Sequence, residues 1–236
     1  MKQLQNFLFI VLVVFLVLQG RLVQAEGLPF PQGESFHFKI KKMIKVGDVD
    51  LVFKGRIQVE GKDVYLLSFM ADGFNFEDQD DIYLDPDTFL PVQVVRDLNV
   101  FGSKEKIVET YDQDQGSVVI TKTTKDGVET QTIQKDNVIE NIYGFIYRYR
   151  LKDRFVQGEA VELTLPTKDI VMKYQGSVDF KYGGERIQAH YFESDPEQFR
   201  IWFSPKNFFS KDSGFIPLRI DGAVGFGSTS MILDAD

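Results

Sequence analysis

Apolar residues fall on every second position along most of this chain. In "SFHFKIKKMIKV", Phe36, Phe38 and Ile40 share one parity while His37, Lys39 and Lys41 take the other. Successive side chains of a β-strand point to opposite faces, so this spacing makes a half-buried strand. The runs are short and end in turn residues. "RIQVEGKDVYLLSF" turns at Gly61, "SVVITKTTKDGVETQTI" at Asp126-Gly127, and "SVDFKYGGERIQAHYF" at Gly183-Gly184. Short strands punctuated in this way predict an antiparallel β protein. One segment breaks the rhythm. "KDNVIENIYGFIYRYR" (135–150) places Val138, Ile139, Ile142, Ile146 and Tyr149 at helical spacing, with Asp136 or Asn137 as a start cap. A helix is predicted there, despite the roughly 1 kcal/mol that Gly144 costs against Ala.

The strand pattern occurs twice, in the same order. Gln32-Gly33-Glu34 and Gln157-Gly158-Glu159 each open an alternating run. Gly55 then matches Gly176, Pro86 matches Pro205, and Pro91 matches Pro217, with offsets that drift only where the second half carries the longer loop "KNFFSKDSG". Duplication with loop insertions accounts for this, and convergent hairpin chemistry is the competing explanation. The shared strand-Pro-loop-Pro-strand unit has a structural explanation in any case: proline at a strand start loses no ladder hydrogen bond.

The N-terminus carries an address. Lys2 precedes an unbroken apolar run from Phe7 to Leu18, and Val23 and Ala25 occupy the small-residue cleavage positions. This reads as a secretory signal over residues 1–25; the apolar run is shorter than the ~20 residues a membrane-spanning helix needs. Removing Lys2 and Arg21, with no acid to offset them, takes the formal net charge from −8 to −10. An acidic chain lacks the footprint of a nucleic-acid binder. There is no cysteine, which rules out disulfides, thiolate ligands and a thiol nucleophile, so the exported fold must rest on its core.

Motifs for chemistry are scarce. The two histidines, His37 and His190, stand apart in predicted strands, whereas a histidine metal site needs several converging ligands. "YDQDQG" (111–116) is read as a turn rather than a calcium loop, because the ligand spacing fails. Glu77, Asp78, Asp80 and Asp81 within 72–81 offer oxygens to a weak calcium ion; the simpler reading is a solvated acidic loop. No nucleophile elbow or phosphate-cradling loop is present. Carboxylate pairs are too numerous for one to stand out. "GAVGFGS" (222–228) lies in a terminal strand pattern and reads as bulges or close packing. The remaining signal is aromatic: Tyr143, Tyr147, Trp202, Phe208 and Phe209 are candidate ligand contacts, the last two an apolar pair in a polar loop.

Together "QGESFHF", "IYLDPDTFLPV", "NIYGFIYRYRL…QGE" and "FRIWFSPKNFF…GFIPLRIDGAVGFGS" resemble, in order, the exported bacterial family catalogued as domain of unknown function 3108. That family often has Asp and Ser before "YRYR"; Glu140 and Gly144 stand nearby here. The strand-Pro-loop-Pro-strand signature is similar to that of periplasmic lipoprotein carriers, which implies a curved sheet around an apolar cavity.

The expectation is a mainly β chain: a curved antiparallel sheet or half-barrel from two repeated halves (about 28–135 and 137–236), with one helix packed on the concave face. Residues 26–236 are expected to form a single domain in the periplasm or cell envelope of a Gram-negative bacterium. The expected role is non-enzymatic binding of an apolar ligand, a lipid or acyl chain, between sheet and helix. The alternative is an envelope structural or assembly factor acting through protein contacts, with a carboxylate-based hydrolase as the minor alternative. No catalytic residue, metal or cofactor is assigned, and no transmembrane segment is expected after signal cleavage.

Overall fold

The computed structural model describes residues 27–41, 45–222 and 229–235. The signal segment 1–25 and all of "GAVGFGS" after Gly222 lie outside the described residues.

Among the described residues fourteen strands form one antiparallel sheet. The first arm starts mid-sheet with β1 (Glu34–Lys41) and moves outward through β2 (Lys45–Val59), β3 (Lys62–Gly73), β4 (Phe76–Leu84), β5 (Pro91–Val100), β6 (Ser103–Asp112), β7 (Ser117–Thr124) and β8 (Gly127–Gln134). The second arm starts at the opposite edge with β9 (Ala160–Leu165). It returns inward through β10 (Lys168–Tyr182), β11 (Glu185–Asp195), β12 (Arg200–Phe203), β13 (Pro217–Asp221) and β14 (Ser230–Leu233). The arms join where β14 pairs with β1, Phe38 opposite Leu233 and Ile40 opposite Met231. β8 and β9 are the edges, so the ladder does not close.

The predicted alternation holds. Phe36, Phe38 and Ile40 are buried while His37 is exposed. Leu51 and Phe53 on β2, Leu67 and Phe69 on β3, and Ile82 and Leu84 on β4 continue the same inner face. Phe192, Ile201, Phe203, Leu218, Ile220 and Met231 line the inner face of the second arm. Each such side chain contributes about 1.5–3 kcal/mol on burial.

The helix α1 (Ile142–Arg150) follows β8 and packs on this inner face. Its nine residues are too few to be stable alone in water, and eight of them are buried. A helix buried nearly all round needs walls on several sides, and the curved sheet provides them. The helix begins later than the sequence periodicity implies. Asn141, not Asp136 or Asn137, is the cap: its side-chain oxygen accepts from the Tyr143 and Gly144 amides at 2.9 and 3.3 Å. Residues 135–140 are irregular instead, with a bend at Asp136-Asn137, and bridge the two arms. Lys135 N donates to Gly116 O on one side and Glu140 N to Thr164 O on the other, while the Gln113 side chain pairs with both backbone groups of Ile139.

Gly144 has a reason to be there. A β-carbon at this position would lie 2.6 Å from the Phe89 carbonyl oxygen. The helix therefore sits closer to the β4–β5 connection than any other residue would permit.

The Gln-Gly-Glu segments do the same job in each arm. Strand register shifts at Gly55 in β2 and at Gly176 in β10, with φ of +99° and +109°. Such bulges bend a strand. The Gln32 side chain packs on Gly55 and the Gln157 side chain on Gly176, where a β-carbon would lie 3.0 Å from Gln32 Cγ and 2.7 Å from Gln157 Oε1. An aromatic ring two residues before each Gln wedges beneath the helix. Phe30 contacts Phe53, Phe89 and Tyr147 at centroid distances of 5.5, 6.3 and 5.1 Å. Phe155 contacts Tyr174, Phe215 and Tyr149 at 5.6, 4.2 and 6.1 Å.

The acidic run 77–81 is not a loop. Glu77, Asp78, Gln79, Asp80 and Asp81 lie inside β4. Asp78 and Asp80 alternate onto the inner face in line with Ile82 and Leu84. The turn precedes them, at Phe74-Asn75. Asp112–Gly116 is the predicted turn, with Gln115 N donating to Asp112 Oδ1 at 3.0 Å.

Candidate functional site

The charged groups inside the fold gather at the two ends of α1. At its C-terminal end Arg150 has a fully buried side chain. Its Nη1 and Nη2 donate to the two Glu34 oxygens at 2.6 and 2.8 Å, and Nε donates to Phe215 O at 3.1 Å. The guanidinium lies 4.1 Å from the Phe30 ring centroid and 4.9 Å from that of Tyr147. The second Gln-Gly-Glu glutamate serves the same helix end: Glu159 accepts from Lys152 and from the Tyr149 hydroxyl. Its carboxyl is held below the ordinary range, the bond and charge of Lys152 outweighing some burial. These contacts are bidentate or charge-assisted and fix the helix between the arms.

At the N-terminal end a cavity of about 240 Å³ opens between the inner face of β4–β6, the start of α1 and the β9–β10 turn. Arg96 on β5 is its central cation. It pairs in bidentate fashion with buried Asp78, Nε to Oδ1 at 2.7 Å, and lies 3.4 Å from Asp80 Oδ1. Glu109 on β6 accepts from the Tyr111 hydroxyl. Burial raises Asp80 to about 7 against the pull of Arg96, with the charges of Asp78, Glu109 and Asp81 adding to the rise. Burial also raises Glu109, though its hydrogen bond from Tyr111 and the charge of Arg96 oppose the rise. Tyr111 and Tyr143 are pushed well above the usual phenol range, first by burial and then by the neighbouring carboxylates. The Tyr143 hydroxyl, Asp80 Oδ1 and Glu140 Oε2 are buried without a hydrogen-bond partner. Perturbed acids in a cavity are what a functional site requires, although ion-pair networks produce them too.

Among the described residues, no three His, Cys, Asp or Glu are placed to hold a metal ion. His37 pairs with Asp50 at 2.8 Å on the outer surface; that bond raises its pKa, against slight burial. His190 hydrogen-bonds Tyr174 at 2.8 Å, and burial lowers its pKa.

The five aromatic candidates do not converge. Tyr143 lines the charged cavity. Tyr147 is fully buried against Phe30 and Phe53, and its hydroxyl has no hydrogen-bond partner. Trp202 alternates to the outer face of β12, stacked on Tyr191 at 4.8 Å and under Arg219 at 4.7 Å. Phe208 and Phe209 stand in the β12–β13 loop, each about two-fifths exposed. Phe209 reaches Tyr182 at 5.4 Å and borders a groove of about 540 Å³ whose floor includes Phe36, Ile216 and Leu233. The helix–sheet interface expected to hold a ligand is occupied by side chains instead: Phe145, Ile146 and Tyr147 are fully buried there.

Residues 35–234 match the family described as Protein of unknown function (DUF3108). The chain belongs to that family. No curated protein and no solved structure matches it. The likeness to lipoprotein carriers therefore rests on the sequence signature alone, and the family description assigns no activity to the chain.

Among the described residues no helix is long and apolar enough to cross a membrane.

Proposed function

We propose that this member of DUF3108 is an exported, non-enzymatic binding protein of the periplasm or cell envelope, and that its ligand is an apolar chain such as a lipid acyl group. The observation that carries this reading is the groove beside the C-terminal end of α1. Phe36, Ile216 and Leu233 form an apolar floor, Tyr182 and Phe209 stand over it, and Glu34, His37 and Asp234 mark a polar rim. Its volume falls within the ~300–1,000 Å³ typical of ligand pockets. Burying a chain of methylenes there contributes about 0.8 kcal/mol for each CH₂. The export signal and the acidic, cysteine-free composition support the compartment.

Native mass spectrometry of protein purified from its host envelope tests the reading. An added mass that is lost in Phe209→Ser supports it, and a bare polypeptide mass in both forms refutes it.

A second reading, an envelope assembly factor, is favoured by a different observation. Among the described residues Phe74 and Phe101 are the two most exposed large apolar side chains, on adjacent hairpin tips joined by Phe101 N donating to Asn75 O at 2.8 Å. A specific envelope protein captured by the parent chain but not by Phe74→Ser/Phe101→Ser supports that reading. Capture unaffected by the substitutions counts against it.

The two arms also read as products of an internal duplication. The paired Phe wedges, Gln-Gly-Glu turns and glycine bulges support this. Aligning residues 28–135 with 137–236 across the family tests it: the idea fails if these landmarks do not align in members other than this one.

A further inference from the structure

The cavity at the N-terminal end of α1 is separate from the apolar groove, and its charges do not balance. Asp78, Asp80 and Glu109 face one guanidinium, Arg96, whose donors are directed at Asp78. The nearby cations are engaged elsewhere: Arg148 with Glu140 at 2.7 Å, and Lys168 over the Phe199 ring at 4.8 Å. Three buried atoms of residues lining the cavity lack a hydrogen-bond partner: Asp80 Oδ1, Glu140 Oε2 and the Tyr143 hydroxyl. Tyr143 is only 4% exposed, so bulk water does not satisfy it.

We propose that this cavity binds the ammonium head of a small organic amine. A cation is needed because two carboxylates have no full counter-charge. It must carry several donors, since Asp80 and Glu109 both accept, and it must be compact. An ammonium has three donors on a point charge, whereas a guanidinium is a broad planar fork. At about 240 Å³ the space is smaller than most ligand pockets, enough for a head group and a short stem. Val94, Ile107 and Leu165 supply apolar wall for the methylenes of that stem. A metal ion fits poorly: both Asp78 oxygens bind Arg96, and among the described residues no metal-holding set exists.

Without a cation, burial keeps a proton on Asp80 up to about pH 7. The groups facing it are Asp78 and Asp81 on β4, Arg96 on β5, Glu109 and Tyr111 on β6, and Tyr143 on α1. An arriving ammonium displaces that proton, so binding tightens as pH rises through 7.

Isothermal titration with n-pentylamine, and with 1-pentanol as its uncharged isostere, tests the proposal. The expected result is saturable one-site binding of the amine alone, about tenfold tighter at pH 8 than at pH 6. Asp80→Asn should abolish binding. Tyr143→Phe, which removes only an unpartnered hydroxyl, should weaken binding without lowering the melting temperature. Phe209→Ser, in the apolar groove, should leave amine binding unchanged, so this site and the groove stand or fall separately. Equal binding of the alcohol, undiminished binding in Tyr143→Phe, or no amine binding at pH 8 overturns the proposal. If Asp80→Asn does not fold, Tyr143→Phe decides alone.

Discussion

The two ends of α1 hold their charges differently. At the C-terminal end one buried cation, Arg150, meets one carboxylate, Glu34, through two parallel hydrogen bonds, and Phe215 O takes a third. At the N-terminal end three carboxylates share Arg96, and two carboxylate oxygens and a phenol remain without hydrogen-bond partners. Arg150 is fully buried and Arg96 is 30% exposed, but Glu34 and Asp80 are equally buried at 15% exposure, so for the carboxylates the difference lies in matching. A matched buried pair positions a helix; an unmatched set costs stability and persists where a ligand completes it. The first end reads as architecture and the second as a site.

The largest expected effect comes from breaking the matched end. Arg150→Met leaves Glu34 without its partner and should destabilise the protein by about 3–5 kcal/mol in urea denaturation. Adding Glu34→Gln should restore part of that loss, which a double-mutant cycle measures. If Arg150→Met costs less than 1 kcal/mol, this end is not structural and the contrast fails.

Between the ends, Gly144→Ala tests whether the helix is seated as closely as the Phe89 carbonyl implies. In an exposed helix this change would stabilise by up to ~1 kcal/mol. Here the added carbon meets a backbone oxygen, so a loss approaching ~3 kcal/mol is expected in thermal or chemical denaturation.

The unmatched end should respond with the opposite sign. Asp80 has a folded-state pKa of about 7, above its unfolded value, so the protein loses stability as pH rises from the usual carboxylate range through 7. Asp80→Asn removes that loss. It should be more stable than the parent at pH 8, by on the order of 2 kcal/mol, with the gap narrowing as pH falls and closing only near the ordinary carboxylate pKa of 3.8. A parent whose stability does not fall over this range would show that Asp80 is not strained. The smallest effect belongs to Tyr143→Phe: a gain or loss below ~1 kcal/mol, because no native hydrogen bond is removed. A larger loss would reveal a partner and make the two ends alike.

Much of the sheet was legible. Alternation at Phe36, Phe38 and Ile40 and the turns at Gly61, Asp126-Gly127 and Gly183-Gly184 lie where the pattern puts them. The helix was legible in kind but not in boundary, because Val138 and Ile139 continue its spacing while the chain there is an irregular segment tied to both arms. Phe30 and Phe155 each stand two residues before a Gln-Gly-Glu, a pairing that alternation alone does not mark because both rings precede the strands. The charged cavity was not legible. The acidic run looked like solvent-exposed loop because carboxylates are rarely buried without partners, and the partner, Arg96, is on the next strand. Trp202 looked like a cavity residue, but strand parity sends it outward between buried Ile201 and Phe203.

The sequence by itself determined the strands, their faces and most turns, because side-chain alternation is a local property of an extended chain. Only the tertiary structure decided which charges meet. Glu34 and Arg150 lie 116 residues apart, and Asp78, Arg96, Glu109 and Tyr143 converge only when the sheet curves around the helix. A buried charge takes its meaning from neighbours within a few ångströms, and chain order does not record them.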